Sequence, residues 1–85
     1  MYYVYVIKSL SKKKLYIGYT ADLKRRVREH NDAKNIATKY HVPWQLLYYE
    51  AYSSKKLARE RENLLKKRGK TWQNLRKRLL SQYDT

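Results

Sequence analysis

The chain contains no cysteine and few of the residues that interrupt regular structure. Without cysteine it has no disulfide, no cysteine-ligated zinc and no thiol nucleophile, which suits a reducing compartment. Only two glycines and one proline argue against a low-complexity or disordered chain. A length of 85 residues is that of one small domain, so we expect residues 1–85 to fold as a single unit.

Long apolar runs are also missing. The opening segment MYYVYVIK is too short for a signal peptide or a membrane span, and it has no basic leader. We therefore expect no membrane partner and a cytosolic protein, or a nuclear one in a cell that has a nucleus.

Acidic residues are scarce. Seven Asp and Glu stand against 21 Lys and Arg, which gives a net charge of +14. Such a field favours a polyanion as partner, and nucleic acid is the commonest polyanion. An anionic membrane surface or a structural role in the ribosome would also account for the charge, and charge alone does not separate DNA from RNA.

Three segments have the composition of β-strands. Tyr2–Ile7, Leu15–Tyr19 and Trp44–Tyr52 are rich in aromatic and β-branched residues. A short turn near positions 10 and 11 would join the first two as a hairpin. In that register Tyr5 lies opposite Tyr16 and on the same face, whereas a slip of one residue would separate the two faces.

The segment after the hairpin has a helical pattern. We expect Thr20 to cap the helix, Asp22 to lie in its first turn, and Asn31 to end it. One side of this helix carries two apolar residues together with an arginine and a histidine, namely Leu23, Arg26, Val27 and His30.

Two further helices follow the third strand. Residues 32–43 have no period and are expected to form a loop. Ser54 should cap a helix that runs to about Arg68 and stops at Gly69, and Thr71 should cap the last helix. The expected inner residues of the second helix are Leu57, Ala58, Arg61, Glu62, Leu64 and Leu65. Those of the last helix are Trp72, Leu75, Leu79 and Tyr83.

The resulting order, β-β-α-β-α-α, predicts a small α+β domain, similar to an α/β sandwich, in which helices flank a three-stranded and largely antiparallel sheet. Several kinds of site do not fit this sequence. His30 and His41 lack the spacing of metal ligands, and the isolated Gly18 and Gly69 form no phosphate-binding loop. No serine has a nearby His-Asp pair, so neither an ATPase nor a serine hydrolase is favoured.

The remaining reactive side chains are tyrosine, arginine, histidine and glutamate. Taken singly, a strand tyrosine is usually a packing residue, and a glutamate between arginines is usually half of a helix ion pair. Taken together they match phosphodiester hydrolysis, which needs a base, positive charge on the phosphate oxygens and a group that holds the leaving oxygen. Tyrosine acts as a base only where cations lower its pKa.

Three segments of the chain carry a family resemblance: YVYVIKS, LYIGYTADLKRRVREHN and RERENLLKK. Through them the chain resembles the GIY-YIG nuclease domain over nearly its whole length. That family includes phage homing endonucleases, the incision subunit of bacterial excision repair and many small single-domain proteins. YIG followed by T-x-x-L-x-x-R-x-x-x-H-N is a specific spacing, and PWQLLYYE matches the small single-domain branch. The first motif reads Tyr3-Val4-Tyr5 in place of Gly-Ile-Tyr, which retains the tyrosine.

The resemblance implies a catalytic role for each of five side chains. They are Tyr5 of the first motif, Tyr16 of the second motif, Arg26, His30 and Glu62, with Gly18 as a structural residue of the second motif. By the usual mechanism of the family, a motif tyrosine is the general base and Arg26 stabilises the phosphorane. Glu62 would hold a single divalent ion, Mg²⁺ or Mn²⁺.

The resemblance thus implies a metal-dependent endonuclease acting on nucleic acid, with DNA favoured and no protein partner predicted. The alternative is a non-catalytic nucleic-acid-binding module on the same scaffold, in which exposed tyrosines stack on bases. A small protein packed on ribosomal RNA would explain the charge but not the five positions. The basic residues expected to contact the nucleic-acid backbone are Lys12, Lys13, Lys14, Lys66, Lys67, Arg68 and Lys70.

Overall fold

The structure, a computed structural model, describes residues 1–81, which contain three strands and three α-helices. In chain order they are β1 (Tyr2–Ser9), β2 (Leu15–Thr20), α1 (Leu23–Asn31), β3 (Trp44–Tyr52), α2 (Lys55–Lys66) and α3 (Lys70–Ser81). The strands form one antiparallel sheet in the order β2-β1-β3. The predicted α+β fold with its β-β-α-β-α-α order is confirmed.

The central strand β1 contributes to two apolar layers, because successive side chains on a strand point to opposite faces. The layer between the sheet and helices α2 and α3 includes Val4, Val6, Ile17, Ala58, Leu65 and Trp72. The layer under α1 includes Tyr5, Ile7 and Trp44. The helices therefore cover both faces, with α1 alone on the face to which Tyr5 points.

The register of the first hairpin differs from the prediction. Tyr5 pairs with Gly18, and Tyr16 pairs with Ile7, so the expected Tyr5–Tyr16 pair was wrong. The turn is longer than expected because Ser9 Oγ accepts hydrogen bonds from two backbone N–H groups of the loop. Since the slip is two residues, both tyrosines remain on the same face, as predicted.

The start of α1 also differs. The helix begins one residue after Asp22, whose side chain accepts a hydrogen bond from the backbone N–H of Arg25. Asp22 is therefore the cap, and the prediction that Thr20 caps the helix was wrong. Thr20 Oγ1 instead accepts a hydrogen bond from the N–H of Asp22 and orients that cap.

Helix α1 ends at Asn31, as predicted, but the capping position falls on Asp32. The Asn31 side-chain amide bonds to both the N–H and the carbonyl of Trp44, which ties the end of α1 to the start of β3. The intervening segment 32–43, expected to be a loop, includes a short 3-10 helix at Lys39–His41.

The junction of α2 and α3 corrects two further predictions. Ser54 caps α2, as expected. The helix ends at Lys66, however, and the left-handed residue is Arg68, with φ 58°, rather than Gly69. The Gly69 carbonyl already accepts a hydrogen bond in the first turn of α3, so Thr71 lies inside that helix and is not its cap.

The buried side of α2 is narrower than predicted. Its buried residues are Ala58, Glu62 and Leu65. Leu57 and Leu64 are 53% and 43% exposed, so placing them inside was wrong. The expected inner residues of α3, Trp72, Leu75 and Leu79, are buried. Tyr83, the fourth, lies outside the described residues. Within residues 1–81 no helix combines the length and the apolar character needed to cross a bilayer.

Candidate active site

Tyr5 lies at the centre of the sheet, under α1, and is almost wholly buried. Its hydroxyl is 2.7 Å from Nε2 of His30. Its ring lies directly over Gly18 on the neighbouring strand, where any Cβ atom would overlap the phenol. This close approach gives the glycine of the second motif a packing role, because no other residue leaves room for the ring.

His30 is completely buried between Tyr5 and the segment that follows α1. Its second ring nitrogen, Nδ1, is 2.8 Å from Oγ1 of Thr38. Burial, aided by the positive charge of Arg26, lowers the pKa of His30 to about 4. The imidazole is thus neutral near pH 7, and it holds Tyr5 by a hydrogen bond rather than by charge.

Tyr5 itself is held in the protonated state. Burial raises the pKa of Tyr5 to about 12, although the neighbouring Arg26 guanidinium opposes part of that rise. A phenol in this state donates or accepts a hydrogen bond but does not remove a proton from water near neutral pH. The structure therefore gives Tyr5 the environment of an orienting residue.

Arg26 lies one turn before His30 on α1 and is partly exposed. Its Nη1 atom lies 3.2 Å from Oε1 of Glu29, which fixes one side of the guanidinium. A guanidinium carries five N–H donors, so a single carboxylate leaves others for a ligand. Arg26 therefore presents a positioned cation at the edge of the buried Tyr5–His30 pair.

Tyr16 is half-buried at the start of β2, on the edge of the sheet. Its ring contacts His30 edge-on, with 5.2 Å between ring centroids, and it also packs against Trp44. The ammonium of Lys66 lies 5.8 Å from the centre of the Tyr16 ring. Unlike Tyr5, this tyrosine combines partial exposure with a nearby positive charge.

Glu62 enters the site from α2 and is only 8% exposed. Its Oε2 atom is 2.9 Å from Nζ of Lys66, and its Oε1 atom is 3.9 Å from Nε of Arg59. Lys66 thus lies between the Glu62 carboxylate and the Tyr16 ring. The Glu62 charge also reaches Tyr5, where it contributes a small part of the rise in pKa.

The predicted catalytic residues therefore lie near one another in the fold. Tyr5, Tyr16 and Arg26 surround His30, and Glu62 joins them through Lys66. Three contributing residues were absent from the predicted catalytic set, namely Thr38, Arg59 and Lys66. Lys66 had been expected only as a backbone contact, because its position in a run of basic residues gives no sign of an ion pair with Glu62.

The donor set is compatible with one hydrated divalent ion. Within residues 1–81 no three His, Asp or Glu side chains form a metal-binding group, and Glu62 is a carboxylate whose charge acts on Tyr5. Mg²⁺ is often bound by one or two carboxylates and keeps several waters, so a single buried glutamate fits. Lys66, whose side chain is 44% exposed, would have to release Glu62.

The other predicted backbone contacts lie in two exposed segments. Lys12, Lys13 and Lys14 are exposed in the β1–β2 loop. Lys67, Arg68 and Lys70 are exposed where α2 meets α3.

Comparison with known proteins gives a consistent result. A sequence model described as the GIY-YIG catalytic domain matches residues 1–76. UPF0213 proteins of Streptococcus pyogenes serotypes M3, M1 and M4 are each 48% identical to the chain over 67 residues, which is 78% of this chain and 72% of each relative. The names of these relatives state no activity. No solved structure matches the chain.

Proposed function

The chain belongs to the GIY-YIG family, and from that premise we propose that it is a metal-dependent endonuclease that hydrolyses phosphodiester bonds in nucleic acid, with DNA the favoured substrate. One observation supports this most strongly. A half-buried tyrosine, a positioned arginine and a buried glutamate, Tyr16, Arg26 and Glu62, all lie close enough to the buried Tyr5 to influence it. These are the three chemical functions that phosphodiester hydrolysis requires.

Tyr16 is the better candidate for the general base. It would accept the proton of the attacking water, because it is half-buried rather than enclosed and lies beside the ammonium of Lys66. Tyr5, buried and hydrogen-bonded to His30, would orient Arg26 instead. Arg26 would bind the non-bridging oxygens and stabilise the negative charge of the phosphorane.

Glu62 would hold the divalent ion, Mg²⁺ or Mn²⁺, in place of its present bond to Lys66. When bound, such an ion supplies positive charge to the phosphate and to the leaving oxygen. Lys66 would then be free to turn toward the phosphate, because its side chain lies near the surface.

The two tyrosines provide a test of these roles. Tyr16→Phe should lower the cleavage rate about 100-fold or more, the usual effect of losing a general base, with little change in thermal stability. Tyr5→Phe should instead lower stability, because it leaves His30 Nε2 without its partner. Both variants would be assayed with duplex, single-stranded, flapped and branched DNA and with structured RNA. Cleavage by Tyr16→Phe at the wild-type rate would contradict the assignment.

One observation favours the alternative of a non-catalytic nucleic-acid-binding module. Glu62 already has two cationic partners, so its charge is compensated without a metal. In that case the protein would bind nucleic acid in a salt-sensitive way and cut none of the substrates with any metal. Tyr5, Tyr16 and Glu62 would then serve only to hold the sheet and α2 together.

A further inference from the structure

A groove of about 460 Å³ lies between the β1–β2 hairpin and helix α3, away from the Tyr5–His30 pair. Two leucines, Leu15 and Leu80, form part of its lining. Its charged lining residues are Lys8, Lys13, Lys14, Arg68 and Arg76.

Every charged residue that lines this groove is basic. Within residues 1–81, the ion pairs that involve Glu29, Glu50 and Glu62 use other arginines and lysines, and none uses Lys13 or Arg76. The ion pairs described within residues 1–81 therefore leave the charges of Lys13 and Arg76 unneutralised. A concave surface of one sign concentrates the field and attracts an extended polyanion.

Arg68 lies just after the C-terminal end of α2, where two features hold it in position. Its backbone adopts φ 58°, a left-handed conformation that is unfavourable for a residue with a side chain. Gly69, the next residue, would adopt it without that cost. The Arg68 guanidinium stacks on the buried Trp72, with 4.9 Å between its carbon and the ring centre. A strained arginine fixed against an aromatic ring is preorganised for binding an anion.

The groove lies beside the candidate active site along the chain. Leu15 lines the groove, and Tyr16, the next residue, belongs to the site, so their Cα atoms are about 3.8 Å apart while their side chains point to opposite faces. At the end of α2, Arg68 in the groove follows Lys66 in the site by two residues. A strand that crosses the β2 edge would contact both.

We propose that this groove binds the sugar–phosphate backbone of the nucleic acid, a few nucleotides from the bond that is cut. The inference rests on the proposed function for the position of that bond. A nucleic-acid strand presents phosphates about every 3.4 Å along the helix axis, so several phosphates would lie along the groove. An anionic bilayer is a flat surface and matches this narrow groove less well.

Two double variants test the groove, and each removes two positive charges. Lys14→Gln with Arg76→Gln changes the groove. Lys55→Gln with Lys56→Gln is the matched control, because these exposed lysines lie in the first turn of α2, at the end remote from Arg68. Binding to a fluorescent DNA duplex and to one of its strands would be measured in EDTA, which prevents metal-dependent cutting.

Salt dependence gives the decisive readout. Between about 50 and 200 mM salt, loss of two phosphate contacts should reduce the slope of log affinity against log salt concentration by about 1.8, since each contact contributes about 0.9. We expect at least a tenfold loss of affinity at low salt for the groove variant and little change for the control. An equal loss in both variants would overturn the proposal, because the groove would then act only through net charge.

Two further measurements separate this inference from the proposed nuclease function. If the chain cuts DNA, the groove variant should raise KM and leave kcat unchanged. If the chain cuts nothing but the groove variant still binds more weakly than the control, the groove stands and the nuclease proposal fails. Failure of the wild-type protein to bind any nucleic acid would overturn the proposal that the groove binds its backbone. So would a groove variant that loses binding to phosphatidylserine vesicles but not to the duplex.

Discussion

Tyr5 and Tyr16 belong to the two tyrosine motifs, yet they occupy different environments in the fold. Tyr5 is sealed under α1 with a raised pKa, whereas Tyr16 is half-buried beside Lys66. Tyr16 is therefore the more accessible of the two to water. The sequence predicts that both rings share one face, but it does not predict which one is accessible, because that depends on how α1 and segment 32–43 cover the sheet.

Gly18 offers a sharp test of the packing around Tyr5. Gly18→Ala should lower the free energy of unfolding by about 1–3 kcal/mol, the usual cost of overpacking, because the added Cβ overlaps the buried phenol. Gly69→Ala is the matched control, since no atom lies within 4 Å of its added Cβ. Chemical denaturation of both variants would measure the difference. Equal stability of the two would contradict the close approach described for Tyr5.

His30 should make the stability of the fold depend on pH. Its pKa falls from 6.5 to about 4 on folding, so below pH 6.5 the unfolded chain binds more protons than the folded one. The free energy of unfolding should therefore decrease as the pH falls from about 6.5 to about 4, by up to about 3 kcal/mol. Below that window His30 is protonated in both states and contributes no further loss.

His30→Gln provides the comparison for this pH dependence. Glutamine has a donor and an acceptor for Tyr5 and Thr38 but does not titrate, so the variant should lose much of the slope between pH 6.5 and 5. Urea denaturation at several pH values would measure it. The same slope in both proteins would show that His30 is not the group responsible.

Site residues could be predicted from the sequence where they lie at regular helical spacings. His30, Glu62 and Arg26 stand at helical spacings that place them on an inner side, and the structure brings them to the site. Thr38 gave no signal, because it lies in a segment without a period. Lys66 could not be distinguished from its basic neighbours, since its role depends on an ion pair between successive turns of α2.

At the scale of elements, α2 is tied to the sheet by a polar network. Glu50 on β3 accepts hydrogen bonds from Tyr48 and Tyr52 and two from the guanidinium of Arg61. Arg61 immediately precedes Glu62, so the network also sets the position of the candidate metal ligand. Burial alone would raise the pKa of Glu50, but these hydrogen bonds outweigh it and hold that pKa below its usual value.

A double-mutant cycle would measure this tie. Arg61→Gln and Glu50→Gln should each lower the free energy of unfolding, and their coupling energy should be about 1–3 kcal/mol, the range for hydrogen bonds to charged groups. Because the folded pKa of Glu50 is lowered, its contribution is present above about pH 4.5 and is lost as the pH falls through the folded value. A coupling energy near zero would mean that packing alone holds α2 in place.

The order of the elements followed from sequence, whereas their ends did not. Strand composition and helical spacing are repeated over many residues, so the pattern is strong. A helix end depends on one or two side chains, and several candidates stood close together. Asp22 replaced Thr20 as a cap, and Arg68 adopted the left-handed conformation expected of Gly69. In each case the packing of the helix selected among neighbouring residues.

At the scale of the whole molecule, charge is the dominant property. With a net charge of +14 on 85 residues, the positive side chains repel one another, and this repulsion destabilises the folded state. Raising the salt concentration from about 10 to about 150 mM should increase Tm, because the Debye length falls from about 30 Å to about 8 Å. The described ion pairs join residues close in space and lose less from screening. Thermal unfolding at the two salt concentrations would measure the effect, and a lower Tm at the higher concentration would contradict it.

The central claim is that Glu62 makes this basic domain a metal-dependent nuclease. The most direct measurement is cleavage of labelled DNA by wild-type protein, Glu62→Gln and Glu60→Gln, each with Mg²⁺, Mn²⁺ or EDTA. Glu60 lies on the exposed side of α2, so its substitution removes the same charge outside the site. Thermal unfolding would confirm that all three proteins are folded.

We expect cutting by wild-type protein and Glu60→Gln with either metal, none in EDTA, and none by Glu62→Gln under any condition. Cutting by Glu62→Gln at the wild-type rate, or equal cutting in EDTA, would contradict the role of Glu62 as a metal ligand. No cutting by wild-type protein on any substrate would contradict the nuclease function itself.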